Sequence, residues 1–144
     1  MSLDNVWVFA QGADGAANTA TLELLTKARS IGDNVSAFVV GDASSFAAQL
    51  GEYGAAKVFA TGDLGDKFAG PAGAAAIAAL IEGGESPDLI MFPQNYDGRD
   101  VMSRLSVLLD RTVLTNNTEI DVDSGKVHVT TQIFGGEKLV KSEF

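Results

Sequence analysis

Two short polar loops hold the residue types that could do chemistry in this chain. The first, Gly12-Ala13-Asp14-Gly15-Ala16-Ala17, is a run of small residues between an apolar run and a helix-like one. Small residues at such a place let backbone N–H groups approach an anion at a helix N-terminus, which is how phosphates are cradled. The run is neither of the two glycine-rich phosphate motifs, dinucleotide-type or P-loop. No lysine or serine stands where a triphosphate would need one, and Asp14 would repel phosphate. A structural tight turn is therefore the preferred reading. The second loop, from Pro93 to Arg99, feeds Asp97-Gly98-Arg99-Asp100. Asp97 can cap the helix that follows, with Asp100 at N3 complementing its dipole. Arg104 can pair with Asp100 at i,i+4, an ordinary solvated helix pair. Arg99 has a functional alternative, reaching an anionic ligand or a partner subunit.

The remaining candidates reduce to structure. His128 is the one histidine and lies mid-strand, whereas nucleophilic triad chemistry needs it at a loop or strand end. Asp121-x-Asp123-x-Gly125 imitates the start of a calcium loop, but its glycine comes one position early and the closing glutamate is missing. Asp63 and Asp66 flank Gly65 in the manner of turn residues. With no cysteine, disulfides, zinc–thiolate sites and thiol catalysis are excluded. No nucleophile–base constellation appears, which argues against an enzyme working alone.

The elements that must position these loops alternate. Apolar runs at Val6–Ala10, Val35–Val40, Lys57–Thr61 and Leu89–Phe92 read as strands, with a fifth at Arg111–Thr115. Helix-period segments fall at Asn18–Ile31, Ser44–Tyr53, Pro71–Glu82 and Gly98–Asp110. Asn18 is a natural N-cap, and Gly32 the expected stop. Near-continuous apolar strands fit a parallel sheet covered on both faces. Sequential βα units with right-handed crossovers then give an α/β, doubly wound sheet of order 3-2-1-4-5. In such a sheet ligands sit at the carboxyl ends of the strands where the order reverses. Here that crevice is rimmed by Gln11–Ala17 and Pro93–Arg99, so its candidate residues are Gly12, Asp14, Gly15, Asp97 and Gly98. After Asn117 the texture changes to alternating polar and apolar residues, which predicts an antiparallel extension at the sheet edge.

The chain has 144 residues, the size of one domain, and 46% of them are hydrophobic. Its net charge of −9 disfavours nucleic acid and anionic membrane as partners. No run approaches the roughly 20 apolar residues of a membrane span, and the N-terminus has no signal-like core. A cytoplasmic protein is expected. Nothing before Asp4 carries weight, since Met1-Ser2-Leu3 could be an appended remnant. The end at Phe144, inside a strand, suggests a fragment.

Four stretches together resemble the N-terminal domain of the alpha subunit of electron transfer flavoprotein. They are VWVFAQGADGAANTATLELLTKARSIG, LGEYGAAKVFATGD, YDGRDVMSRLSVLLDRTVLTNN and IFGGEKLVKSEF. They cover nearly the whole chain in the family's order, and the Gly98-Arg99-Asp100 helix start with Arg104-Leu105 is the most specific part. The resemblance implies a heterodimeric FAD-containing carrier, taking electrons from acyl-CoA and related dehydrogenases and passing them to a membrane quinone oxidoreductase. It implies that FAD is held mainly by a C-terminal domain outside these residues, so none is expected bound here. The beta subunit is the implied partner, and its switch-point crevice commonly holds AMP where the alpha domain's does not. By position, Arg99, Asp100, Arg104, Thr115 and Asn116 are the implied interface or packing residues. Pro93-Gln94 departs from the small or hydroxyl residues expected there. The alternative is a stand-alone adenine-nucleotide-binding module of the universal-stress type, which would want hydroxyl residues where Gln94-Asn95-Tyr96 stand. An NAD-dependent oxidoreductase fails for want of the dinucleotide fingerprint.

Overall fold

A computed structural model describes residues 2–144; Met1 lies outside the described residues. The elements run β1 (Leu3–Ala10), β2 (Gly12–Ala13), β3 (Ala16–Ala17), α1 (Thr19–Ile31), β4 (Gly32–Val39), α2 (Ala47–Glu52) and β5 (Lys57–Ala60). They continue with α3 (Ala69–Glu82), β6 (Leu89–Met91), α4 (Tyr96–Leu109), β7 (Asn117–Asp123), β8 (Lys126–Ile133) and β9 (Lys138–Glu143). The central sheet has the order β5-β4-β1-β6, and all of its pairings are parallel. The expected α/β class therefore holds.

β1 shows why its sequence is apolar throughout. Val6, Val8 and Ala10 join a cluster with Leu25, Ala28 and Leu50 of α1 and α2. Trp7 and Phe9 point the other way, into a cluster with Ala74 and Ile77 of α3 and Val101 and Leu105 of α4. Alternate residues of one strand thus serve two cores, and neither face reaches water. Trp7 lies 5.0 Å from Phe59, and Phe9 stacks on Phe92 at 5.5 Å between ring centroids. Asn18 caps α1 as expected, its Oδ1 accepting from the Thr21 amide at 2.9 Å. Gly32 stops the helix in extended backbone (φ −133°) and opens β4 directly. A Cβ built there would lie 2.5 Å from Val6 Cγ2, so close packing, not a left-handed turn, requires this glycine.

The fifth strand expected at Arg111–Thr115 does not form; these residues have no regular structure, and the parallel order stops at 3-2-1-4. Local bonds at both ends of the segment account for this. Asp110 ends α4 in the left-handed region (φ 51°), and the Arg111 amide and carbonyl both bond to Ser106. At the far end Asn117 Nδ2 donates to the Leu114 carbonyl, and Asn116 (φ 57°) turns the chain into β7. The antiparallel strands appear where the alternation placed them, but as a separate sheet, β7-β8-β9, not hydrogen-bonded to β6. Val127 and Val129 of β8 turn inward to the α1-side cluster, and Lys27 of α1 reaches Asp121 of β7 at 3.4 Å.

The outer hairpin is tied by charge. Lys126 of β8 donates to Glu143 of β9 at 2.6 Å, a bond that holds the Glu143 carboxyl below its ordinary value and raises Lys126. A depressed carboxyl stabilises the fold above its ordinary value near 4.5, and that stabilisation is lost as pH falls through the lower folded value. Amides of β8 and β9, corrected for intrinsic exchange rates, are therefore expected to lose protection on acidification below pH 4.5. In Glu143→Gln this acid-side loss should vanish. Hydrogen exchange across a pH series checks it, and an unchanged profile in the variant would reject the assignment.

Candidate functional site

The carboxyl ends of β1 and β6 meet where the sheet order reverses, and both expected rims lie there. Gln11 is the first residue past β1. Its backbone amide donates to Thr21 Oγ1 at 2.8 Å, and Thr21 Oγ1 donates back to the Gln11 carbonyl at 3.0 Å. Thr21 is fully buried, so this reciprocal pair satisfies a hydroxyl that would otherwise be costly. The Gln11 side chain then spans the crevice. Its Oε1 accepts from Asn95 Nδ2 at 2.6 Å, and its Nε2 donates to Asp97 at 3.3 Å. The two rims are thus bolted together by one amide side chain, across the place where a ligand would enter.

The first rim is a hairpin, not a cradle. Ala13 pairs with Ala16 and Gly12 with Ala17 around a two-residue turn, Asp14-Gly15, both at positive φ (53° and 80°). That is the geometry for which Asp-Gly is a strong hairpin signal, and the signal was legible in the sequence. The amides beyond it are committed inside the protein, Ala17 to Gln49 Oε1 and Asn18 to the Gln11 carbonyl. A Cβ on Gly12 would meet the Ala16 carbonyl at 2.7 Å and the Phe46 ring at 2.8 Å. The space beside this glycine is filled by the chain itself. The Asp14 carboxylate stays exposed at the hairpin tip.

The second rim departs from the sequence reading in its cap. Asn95, not Asp97, caps α4, its Oδ1 accepting from the Gly98 amide at 2.9 Å. Asp97 lies inside the first turn, where its charge still complements the dipole. Asn95 serves better because one side chain can cap with its oxygen and bond Gln11 with its nitrogen. The expected Asp100–Arg104 pair is present at 2.8 Å, half exposed, and sits against the start of α3 at Gly70.

Of the implied interface residues, the structure links Arg99 and Asn116. Arg99 Nε donates to Gln94 Oε1 at 2.9 Å, and Gln94 Nε2 donates to Asn116 Oδ1 at 3.0 Å. Gln94 thereby connects α4 to the turn before β7. Thr115 is exposed beside this chain of bonds. The sequence marked Gln11 only as the start of a rim and Gln94 only as a departure from the family pattern, and their organising roles went unread. An isolated polar residue closing an apolar strand, as Gln11 closes VWVFA, was the available signal. His128 lies inside β8, 3.8 Å from Glu143. Asp63 accepts from the Gly65 amide at 2.9 Å, the turn role expected of it. No helix among the described residues is long and apolar enough to cross a membrane.

Comparison with known proteins gives a consistent result. Residues 6–143 match the family described as Electron transfer flavoprotein domain. The chain is 32% identical over 140 residues to the electron transfer flavoprotein subunit alpha of Syntrophomonas wolfei, covering 95% of this chain and 44% of that protein. It is 30% identical over 141 residues to the subunit of the same name from Mycobacterium tuberculosis, covering 96% and 43%. An acryloyl-CoA reductase electron transfer subunit beta from Anaerotignum propionicum is 26% identical over 130 residues, 87% of this chain and 35% of that protein. The chain therefore spans less than half the length of these relatives.

Proposed function

Because the chain belongs to the electron transfer flavoprotein domain family, we propose that it is the N-terminal, alpha-type domain of a two-subunit FAD electron carrier, serving as scaffold and subunit interface. The observation that carries this reading is the Gln11 bridge to Asn95 and Asp97, which closes the crevice where a nucleotide would sit. FAD would bring a pyrophosphate, and the residues here do not fit it. The rims carry the carboxylates Asp14 and Asp97, and the amides that follow the hairpin turn, Ala17 and Asn18, are already bonded within the chain. In the intact carrier FAD would be held by polypeptide outside these residues and would supply the redox chemistry. This domain would do no catalysis of its own.

The carrier would accept electrons from dehydrogenases, acyl-CoA dehydrogenases among them, and pass them through a quinone oxidoreductase to the respiratory chain. The cytoplasm is the proposed location. A beta-type subunit is the proposed partner, docking on the surface that Arg99, Asp100, Arg104, Thr115 and Asn116 contribute. Arg99 and Arg104 offer it forked donors, each with one nitrogen committed within the chain. Calorimetric titration tests both halves of the reading. The 144-residue chain is expected to bind none of FAD, AMP or ATP. A purified beta-type subunit is expected to bind, about tenfold more weakly to Arg99→Glu, a loss of about 1.4 kcal/mol. Saturable FAD binding would overturn the scaffold role, and AMP or ATP binding would favour the stand-alone nucleotide module.

A further inference from the structure

The chain contains two Asp-Gly steps, Asp14-Gly15 and Asp97-Gly98, and the fold treats them in opposite ways. An Asp-Gly step is chemically able to close on itself. The glycine backbone nitrogen attacks the aspartyl side-chain carbon, and the missing Cβ leaves its approach unhindered. The attack needs a glycine amide bonded to nothing else and a backbone free to turn it onto the carboxyl group.

Asp97-Gly98 meets neither condition. Gly98 is buried in the first turn of α4, and its amide donates to Asn95 Oδ1 at 2.9 Å. Asp14-Gly15 meets both. The two residues are the exposed tip of the β2–β3 hairpin, and a Cβ built on Gly15 would meet nothing within 4 Å. Among the described residues the Gly15 amide finds no acceptor and the Asp14 carboxylate no donor. The hairpin is held by the pairs Ala13–Ala16 and Gly12–Ala17 alone, and so short a two-stranded ribbon resists rotation weakly. Asp14 stands at φ 53°, left-handed backbone that an L residue leaves at little cost.

We infer that Asp14 is a self-modification site, at which aspartate isomerises to isoaspartate through a cyclic succinimide. In the first step the Gly15 nitrogen bonds to Asp14 Cγ and one Cγ–O bond breaks. That oxygen leaves as water, carrying the Gly15 amide proton and the carboxyl proton. In the second step one water adds to the ring. Opening at Cγ restores aspartate, and opening at the Asp14 main-chain carbonyl routes the backbone through the side chain. No atom is gained or lost overall, and water is the one co-reactant. Isoaspartate puts an extra backbone carbon into the turn, which a two-residue loop cannot hold in register. Ala13 and Ala16 then lose their pairing, and the hairpin rim of the crevice loosens while the Asn95 rim is untouched. The inference stands on the hairpin alone and is independent of the proposed scaffold role.

The test holds the full chain for weeks in heavy-oxygen water at neutral pH, then maps its peptides after digestion in ordinary water. Each ring opening leaves one heavy oxygen behind, whichever product forms. The peptide holding Asp14 is expected to label at least tenfold faster than the one holding Asp97. In urea, where the fold protects neither step, the two should label at similar rates. Isoaspartate itself is read by methylation with protein isoaspartate methyltransferase, and should appear at Asp14. Asparagine tolerates positive φ, so Asp14→Asn keeps the turn and should lose ammonia through the same ring. That loss is expected at least tenfold faster than Asp14 labels. Equal labelling of the two peptides in the folded chain would overturn the inference, as would labelling of Asp14 in urea alone. So would a side-chain amide retained in Asp14→Asn. A difference that persists in urea would belong to the flanking sequence and not to the fold, and would overturn it as well.

Discussion

Phe9→Ala is expected to lower the unfolding free energy by about 3–5 kcal/mol, the range for removing a buried aromatic ring from a packed core. Phe9 is 1% exposed, stacks on Phe92 and belongs to the cluster with Ala74, Ile77, Val101 and Leu105. Its neighbours come from β1, α3 and α4, so no single element can relax into the space the ring leaves. Denaturant unfolding followed by circular dichroism gives the measurement, as a shift in midpoint at unchanged slope. A loss under about 1 kcal/mol would mean that the helices collapse onto the sheet, contrary to the rigid packing described. The site would feel the loss as well, because β1 delivers Gln11 to the crevice two residues later.

Gly98→Ala is the second large effect, about 1–3 kcal/mol, the usual cost of overpacking. A Cβ at this buried position would lie 2.4 Å from the Pro93 carbonyl oxygen and 3.2 Å from Asn95 Oδ1. The first of these is backbone and cannot swing away. Gly70 makes an instructive contrast, since its hypothetical Cβ meets the Asp100 carboxylate, the movable end of an exposed side chain. Relief at Gly98 must come from shifting the loop. That shift strains the Asn95 cap and, through Asn95 Nδ2, the Gln11 bridge. The same unfolding assay gives the stability, and the Asn95 and Gln11 side-chain amide resonances should move together. Wild-type stability in the variant would show that Pro93–Arg99 adjusts freely, and the crevice would then not be rigidly closed.

How much of this was legible in the sequence depends on the range of the interaction. Local chemistry read well. Asn18 caps α1, Asp100 pairs with Arg104, and the Val127/Val129 alternation marks the inward face of β8. The sheet class followed from apolar strands alternating with helices. What failed needed knowledge of neighbours. Arg111–Thr115 has strand-forming residues, yet the left-handed turn at Asp110 and bonds to Ser106 and Asn117 hold it out of the sheet, and nothing in its own five residues encodes those partners. Asp97 and Asn95 are both good caps by type, and Asn95 wins because Gln11, 84 residues away in sequence, takes its spare nitrogen. The Gly12–Ala17 run was read as a structural tight turn, and Asp14-Gly15 makes one, as a two-residue hairpin turn.

The division of β1 into two faces has an optical consequence. Trp7 is the one tryptophan of the chain, 2% exposed and on the side of α3 and α4. β8 packs its valines on the opposite side, with Val6 and Val8. Intrinsic fluorescence therefore watches half of the molecule. Emission should be blue-shifted in the native state, and indifferent to loosening of β7–β9 so long as α3 and α4 stay seated. A denaturation curve followed at the tryptophan and another followed at the outer strands need not coincide. The gap between them would measure how independently the two layers melt.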